Sequence, residues 1–171
     1  MSMDEARFGR MSDPRKCWAP PHCRPMVGLA LVREFVYVYA AVSPGDGCLD
    51  YCTAQKMNTE FMNQFLAQVR TAHPKEFIII VLDGASSHKS KDLKIPENMV
   101  FIKLPPYSPE LNPTELIWNE LRRNKFANKV FDSLEAVVNQ LEHGLAMMSV
   151  NKTAVKSLTC WPWITDSLIA N

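Results

Sequence analysis

The sequence lacks the features that mark membrane, secreted and repetitive proteins. Among its 171 residues, no apolar run approaches the roughly 20 residues that a bilayer-spanning helix needs. The N-terminal residues, MSMDEARFGR, have no apolar run after their charges, so we expect no secretory signal peptide. There is no internal repeat and no low-complexity tract. These absences predict a single domain over residues 1–171, with no membrane partner.

The sequence also has no large excess of charge of either sign, and its number of cysteines is odd. Nineteen basic and eighteen acidic residues give a formal net charge of +1, which neither indicates nor excludes a nucleic-acid partner. The five cysteines accompany no secretory feature, which predicts reduced thiols. A zinc site of four cysteines and one histidine is conceivable, but the spacings C-x5-C and C-x3-C are not those of usual fingers or ribbons. Its members would be Cys17, Cys23, Cys48, Cys52 and His22.

Apolar residues make up 47 % of the chain, and their pattern predicts a sheet. Residues 4–10 are interpreted as a first extended segment. Residues 26–43 alternate apolar and aromatic residues and are interpreted as two strands that turn at residues 33–34. The continuous run at 77–82 predicts a strand buried on both faces, and 99–104 predicts another strand.

Helices are predicted where apolar residues recur every three or four positions behind a capping residue. The predicted ranges are 59–71, 113–128 and 133–148, with a short helix within 84–91. The resulting order is strand, strand, strand, helix, strand, short helix, strand and long helix. This order predicts an α/β fold with a mixed sheet, in which a three-strand antiparallel meander is followed by two strands that arrive by crossovers.

Three acidic residues occur where such a sheet can bring them together. Asp4 lies in the first extended segment, Asp83 ends the buried strand, and Glu115 opens the helix that follows the next strand. Clustered carboxylates repel each other unless they are protonated or bridged by cations. Two Mg²⁺ ions about 3.5–4 Å apart would meet this need and would activate a water or hydroxyl for attack on a phosphodiester.

Each of these residues also has a plainer interpretation. Asn112-Pro113-Thr114-Glu115 is a sound helix start, in which Glu115 would serve as a capping-box residue. Asp83 with Gly84 could form an ordinary turn, and Asp4 lies beside another acid near a terminus. Trp118, three residues beyond Glu115 on the same helical side, is expected to pack in the core. Only the joint pattern favours a metal site.

The order of elements and several motifs resemble the catalytic domain of DDE transposases of the mariner superfamily, in its bacterial insertion-sequence branch. The motifs are DEARFGR at 4–10, CWAP at 17–20, VLDGASSHKS at 81–90, LPPYSPELNPTELIWNELRR at 104–123 and KSLTCWPWI at 156–164. The resemblance implies an RNase H-like fold, with a central five-stranded mixed sheet flanked by helices. It also implies that Asp4, Asp83 and Glu115 are catalytic and hold two Mg²⁺, with Mn²⁺ as a substitute.

The same resemblance implies Mg²⁺-dependent DNA cleavage and strand transfer in the transposition of an insertion sequence, in the bacterial cytoplasm at the nucleoid. Expected partners are double-stranded DNA at transposon ends and target, a second copy of the chain, and an upstream helix-turn-helix polypeptide. His88 matches a histidine common in the family, or is a solvent-exposed histidine at a helix entry. Arg122, Arg123 and Lys125 are expected to contact DNA phosphates, or merely complement the C-terminal dipole of their helix.

The chain departs from the family pattern in three ways. Only three residues precede Asp4, which predicts a truncated first strand. We expect no helix-turn-helix domain within residues 1–171, and Gly84 stands where the family commonly has asparagine. The first two departures support an alternative, a non-catalytic transposase remnant that only binds DNA or a partner transposase chain. A third candidate, another RNase H-like nuclease such as a resolvase or an RNA–DNA hybrid nuclease, is disfavoured by the motif YSPELNPTE.

Overall fold

The computed structural model describes residues 1–84 and 90–169, which fold around one five-stranded sheet. The strands are β1 (Ser2–Met11), β2 (Leu31–Ser43), β3 (Cys48–Ala54), β4 (Ile78–Leu82) and β5 (Met99–Lys103). The helices are α1 (Thr59–Ala72), α2 (Thr114–Leu121), α3 (Leu134–Val150), α4 (Lys152–Thr159) and α5 (Pro162–Ile169). The order is β3-β2-β1-β4-β5, with antiparallel pairing from β1 to β3 and parallel pairing from β1 to β5. The predicted fold class is confirmed.

The antiparallel meander is formed by strands that differ from the predicted ones. Residues 31–43 form one unbroken strand, so the predicted turn at residues 33–34 is wrong. Glu34 lies at the exposed outer part of that strand, where its carboxylate accepts a hydrogen bond from Arg10 at 2.9 Å. The third strand is β3, which sequence reasoning missed because the polar residues of CLDYCTA obscure its alternation. The truncation of the first strand stays a prediction.

Two apolar clusters lie on opposite faces of the sheet, because successive strand residues point to opposite sides. On one face, Ala6 and Phe8 of β1 pack with residues of α2, α3 and α4. On the other face, Met3 of β1 packs with α1 and with alternate residues of β4. Strand β1 is therefore central to both clusters, and it also carries Asp4.

Strand β4 is buried on one face only. Ile78, Ile80 and Leu82 are buried, whereas Ile79 is 46 % exposed and the preceding Phe77 is 68 % exposed. The prediction of burial on both faces is therefore wrong. A continuous β-branched run indicates a strand, but it does not determine whether a helix covers each side.

The helices at 59–71 and 133–148 are confirmed, and the side chains of Asn58 and Ser133 cap them. The helix predicted over 113–128 is interrupted, because α2 continues into a π-helical turn over Arg122–Phe126. That turn is closed by the N–H of Ala127, which donates to the carbonyl of Arg122 at 2.8 Å.

The short helix predicted within 84–91 falls mainly on residues 85–89, which lie outside the described residues. Among the described residues, no helix combines the length and the apolar character that crossing a membrane requires.

The turn between β2 and β3 generates a testable prediction about stability. Gly47 has a positive φ of 75°, and a Cβ at this residue would lie 2.0 Å from the backbone oxygen of Lys152 at the start of α4. We expect Gly47→Ala to lower the free energy of unfolding by roughly 2 kcal/mol or more. Gly45→Ala is the matched control, since its Cβ would meet nothing within 4 Å. Urea unfolding of both variants checks this, and equal stabilities would contradict it.

Candidate active site

The register of the sheet places two of the predicted acidic residues side by side. Strands β1 and β4 are parallel, and Ser2 pairs with Val81. Two residues further along both strands, the same register sets Asp4 beside Asp83. Asp83 directly follows the last residue of β4, at the carboxyl edge of the sheet where α/β proteins place ligands.

The third acidic residue is held near the first two by hydrogen bonds from the loop and helix start that precede it. The side-chain hydroxyl of Thr114 donates to the carbonyl of Ser2 at 2.8 Å, and the side-chain amide of Asn112 donates to the carbonyl of Met3 at 3.3 Å. The Asn112 side chain also accepts a hydrogen bond from the hydroxyl of Ser2. All these groups are buried. Glu115 is therefore fixed relative to the strand residues that immediately precede Asp4.

These contacts separate the helix cap from the carboxylate of Glu115. The side-chain oxygen of Asn112 accepts from the N–H of Thr114 at 3.2 Å, which caps the start of α2. The N–H of Asn112, which a capping box would give to Glu115, instead donates to the carbonyl of Pro109 at 3.0 Å. Glu115 is thus available to a site outside the helix.

One cavity of about 440 Å³ collects the three carboxylates. Asp4, Asp83 and Glu115 all line it, together with residues of the proline-rich loop between β5 and α2. Asp83 is exposed, while Asp4 and Glu115 are half-buried. The cavity is therefore accessible to solvent at Asp83 and is lined by three acidic side chains.

Asp4 has the most perturbed electrostatic environment at this site. Burial raises the pKa of Asp4 to about 7, and the negative charge of Glu115 adds to this rise. A hydrogen bond from the indole N–H of Trp118, which reaches Oδ2 of Asp4 at 2.9 Å, opposes it. A cation between these carboxylates would reverse the effect, because opposite charge favours the ionised form.

The indole hydrogen bond gives Trp118 a role that sequence reasoning missed. Trp118 is 1 % exposed and meets Phe8 edge to face, so the predicted core packing is confirmed. Its ring also orients Asp4 at the point where the core meets the cavity. The signal was the spacing of three residues from Glu115, which puts both side chains on the same side of α2.

The predicted DNA-contacting residues do not line this cavity as a group. The guanidinium of Arg122 lies over the ring of Phe8, 5.2 Å from its centroid. Arg123 is 67 % exposed and pairs with Glu120 at 2.6 Å, and Lys125 lies 3.5 Å from the sulfur of Met147. His88 lies outside the described residues.

The cysteines considered for a zinc site are also apart. Cys17 and Cys23 are exposed in the loop between β1 and β2, whereas Cys48 and Cys52 are half-buried on β3. Within residues 1–84 and 90–169, this set does not form a metal-binding group.

Comparisons with known proteins bear on the family and the fold of the chain. The sequence model of the family described as DDE superfamily endonuclease matches residues 1–138. A protein of Sinorhizobium fredii, named uncharacterized protein y4pE/y4sA, is 34 % identical over 110 residues, which cover 61 % of this chain and 78 % of that protein.

Solved structures of the Mos1 transposase share the fold. A pre-cleavage Mos1 transpososome matches with a TM-score of 0.62 and 16 % identity, over 92 % of this chain and 52 % of that chain. A mariner Mos1 paired-end complex with Mg matches with a TM-score of 0.60 and 18 % identity, over 92 % and 51 %. The chain thus spans about half the length of these Mos1 chains, and its fold is the expected RNase H-like one.

The raised pKa of Asp4 predicts how stability depends on pH. Between about pH 4 and pH 7 the folded chain keeps a proton on Asp4 that the unfolded chain releases. Stability without divalent cations should therefore fall as pH rises through this window, by on the order of 2–4 kcal/mol. Asp4→Asn should remove this fall, while Asp92→Asn, at an exposed carboxylate, should keep it. Urea unfolding from pH 4 to pH 8 measures both, and identical slopes in the two variants would refute the assignment.

The hydrogen bond from Trp118 can be tested separately. Trp118→Phe keeps an aromatic ring in the core but removes the donor to Asp4. We expect the titration midpoint of Asp4, followed by carboxyl-carbon NMR, to move upward by roughly one pH unit. Trp163→Phe, at a half-exposed ring in α5, is the control and should leave the midpoint in place. An unchanged midpoint in Trp118→Phe would show that the indole does not stabilise the carboxylate.

Proposed function

Because the chain belongs to the DDE superfamily endonuclease family, we propose that it is a transposase catalytic domain that cleaves DNA phosphodiesters and transfers strands in the transposition of an insertion sequence. The single observation that carries this proposal is that Asp4, Asp83 and Glu115 line one cavity. These three residues are the proposed catalytic and metal-binding residues.

The donor set fits Mg²⁺, with Mn²⁺ as a substitute. All three side chains offer carboxylate oxygens, which are the ligands that these hard cations prefer. Burial and the nearby charge of Glu115 raise the pKa of Asp4 to about 7, so a bound cation would be favoured beside its ionised form. One of the Mos1 structures that share the fold is described as a complex with Mg. Two ions bound by the three carboxylates would activate the attacking water or DNA 3′-hydroxyl and stabilise the leaving oxygen.

Neighbouring residues of the chain would hold the three carboxylates in position for this chemistry. Asp4 is oriented by the indole of Trp118, and Glu115 is held by the hydrogen bonds of Asn112 and Thr114 to β1. Asp83 is exposed at the end of β4 and lines the same cavity, so its carboxylate is accessible to a ligand that enters there. Positioning of this kind contributes a large part of the rate enhancement in metal-assisted phosphodiester chemistry.

Double-stranded DNA, at the transposon ends and the target, is the proposed partner. Arg122 shares a cavity of about 700 Å³ with Arg7 and Arg33, beyond Phe8 on β1. This group and the exposed Arg123 are the proposed cationic contacts for DNA phosphates. Lys125 and His88 are retained as proposed DNA contacts. A second copy of the chain and a helix-turn-helix polypeptide are further proposed partners, and the Mos1 structures are described as a transpososome and a paired-end complex.

The carboxylate assignment is tested by Glu115→Gln. This substitution keeps the size of the side chain and the start of α2 but removes a metal-binding charge. We expect normal folding and a loss of at least ~100-fold in Mg²⁺- or Mn²⁺-dependent nicking of DNA that carries the element's ends. Glu120→Gln is the matched control on the same helix, since Glu120 pairs with Arg123 and does not line the cavity.

Two results would overturn the proposal in different ways. Nicking by Glu115→Gln at the parental rate would show that Glu115 is not catalytic. A parental chain that binds the DNA but does not nick it, with or without the helix-turn-helix polypeptide, would identify the non-catalytic remnant instead.

A further inference from the structure

A second group of potential ligands lies at the opposite end of β4 from the carboxylate cavity. Cys48 and Asp50 are two residues apart on β3, so their side chains point to the same side of that strand. His73 ends α1 shortly before β4 begins. Nε2 of His73 lies 2.8 Å from Oδ2 of Asp50 and 4.0 Å from Sγ of Cys48. The three ligand atoms lie within 4.8 Å of one another.

The backbone positions of these residues are well held. The N–H of His73 donates to the carbonyl of Val69 at 3.0 Å, and its carbonyl accepts from the side chain of Asn98 at 3.4 Å. The N–H of Cys48 donates to the side chain of Asp46 at 3.0 Å. The side chains of His73 and Asp50 are each only 14 % exposed. The group is therefore built into the junction between β3 and α1, which favours a fixed set of ligands.

We propose that Cys48, Asp50 and His73 form a Zn²⁺ site. A thiolate, an imidazole and a carboxylate make a donor set typical of zinc, and the thiolate disfavours Mg²⁺. A cavity of about 180 Å³, lined by Cys48, His73 and Glu76, adjoins the group. It has room for a water molecule as the fourth ligand.

The distances are close to those of a tetrahedral zinc site. Zinc bond lengths place a thiolate sulfur about 3.6 Å from an imidazole nitrogen, and that nitrogen about 3.4 Å from a carboxylate oxygen. The observed values are 4.0 Å between Cys48 and His73, and 2.8 Å between His73 and Asp50. Side-chain rotations that move the ligand atoms by less than about 1 Å would bring both distances to the zinc-bound values. The ion would then lie between Asp50 and His73.

The position of the ring proton of His73 in a zinc site is consistent with the neighbouring carboxylate of Glu76. Zinc binding requires an unprotonated Nε2, which places the ring proton of His73 on Nδ1. Nδ1 lies 3.5 Å from Oε2 of Glu76, a carboxylate that can orient the ring as outer-sphere acids do in zinc sites. The thiol proton of Cys48 is released to solvent on binding. In the plainer alternative, His73 only pairs with Asp50, and Cys48 takes no part.

The test is zinc binding by the complete, reduced chain with excess Mg²⁺ present to fill oxygen-only sites. We expect one bound Zn²⁺ per chain, and Co²⁺ in its place should give a thiolate-to-cobalt charge-transfer band. Cys48→Ser and His73→Asn should each weaken zinc binding by more than ~10-fold, and Cys48→Ser should abolish the band. In the parental chain, Zn²⁺ should protect Cys48 but not Cys52 from alkylation, a measurement that needs no variant.

Matched controls isolate the site. Cys52→Ser changes the other half-buried cysteine of β3, and His143→Asn changes an exposed histidine, so both should bind zinc like the parental chain. Glu115→Gln should also keep zinc binding, because the site is independent of the proposed nuclease chemistry. Absence of saturable zinc binding, or binding that Cys48→Ser leaves unchanged, would overturn the proposal.

Discussion

The buried hydrogen bonds that Asn112 and Thr114 make to β1 are the constraint on which the rest of the carboxylate cavity depends. They join a loop and a helix start to the backbone of Ser2 and Met3, more than 100 residues away in sequence. Buried backbone carbonyls that lose such partners are costly, so the contacts also fix the path of the proline-rich loop. Because Asp4 directly follows these strand residues and Glu115 directly follows Thr114, a few hydrogen bonds set the relation between two carboxylates.

The site must both pack β1 against an apolar core and keep a carboxylate on that strand ionisable. Apolar packing around Phe8 and Trp118 supports β1 from one face, and the same packing removes water from Asp4. The pKa of that carboxyl is raised for this reason, and Glu115 adds like charge. The indole of Trp118 recovers part of the lost solvation through one hydrogen bond. The cavity thus disfavours free negative charge, a common property of sites that bind cations.

Residue patterns predicted the parts of this structure that follow from local chemistry. The ends of β4 and the start of α2 were predictable from an apolar run, an Asn-Pro pair and the positions of acids after strands. Strand β3 was not, because the polar residues of CLDYCTA obscure its apolar alternation. The hydrogen bond between Trp118 and Asp4 and the grouping of Cys48 with His73 depend on distant parts of the chain. No local pattern encodes them, and only the pairing of the strands brings them together.

The pairing of β1 with β4 has a mechanical consequence. The boundary between β1 and β4, here called the seam, separates two parts of the sheet, strands β1 to β3, which pair antiparallel, and strands β4 and β5, which pair parallel. Asp4 and Glu115 belong to one part, and Asp83 belongs to the other. Small movements at the seam would change the distance from Asp83 to the other two acids without unfolding either part. A cation shared across it would join the two parts, so cation affinity and the resistance of the sheet to separation would rise together.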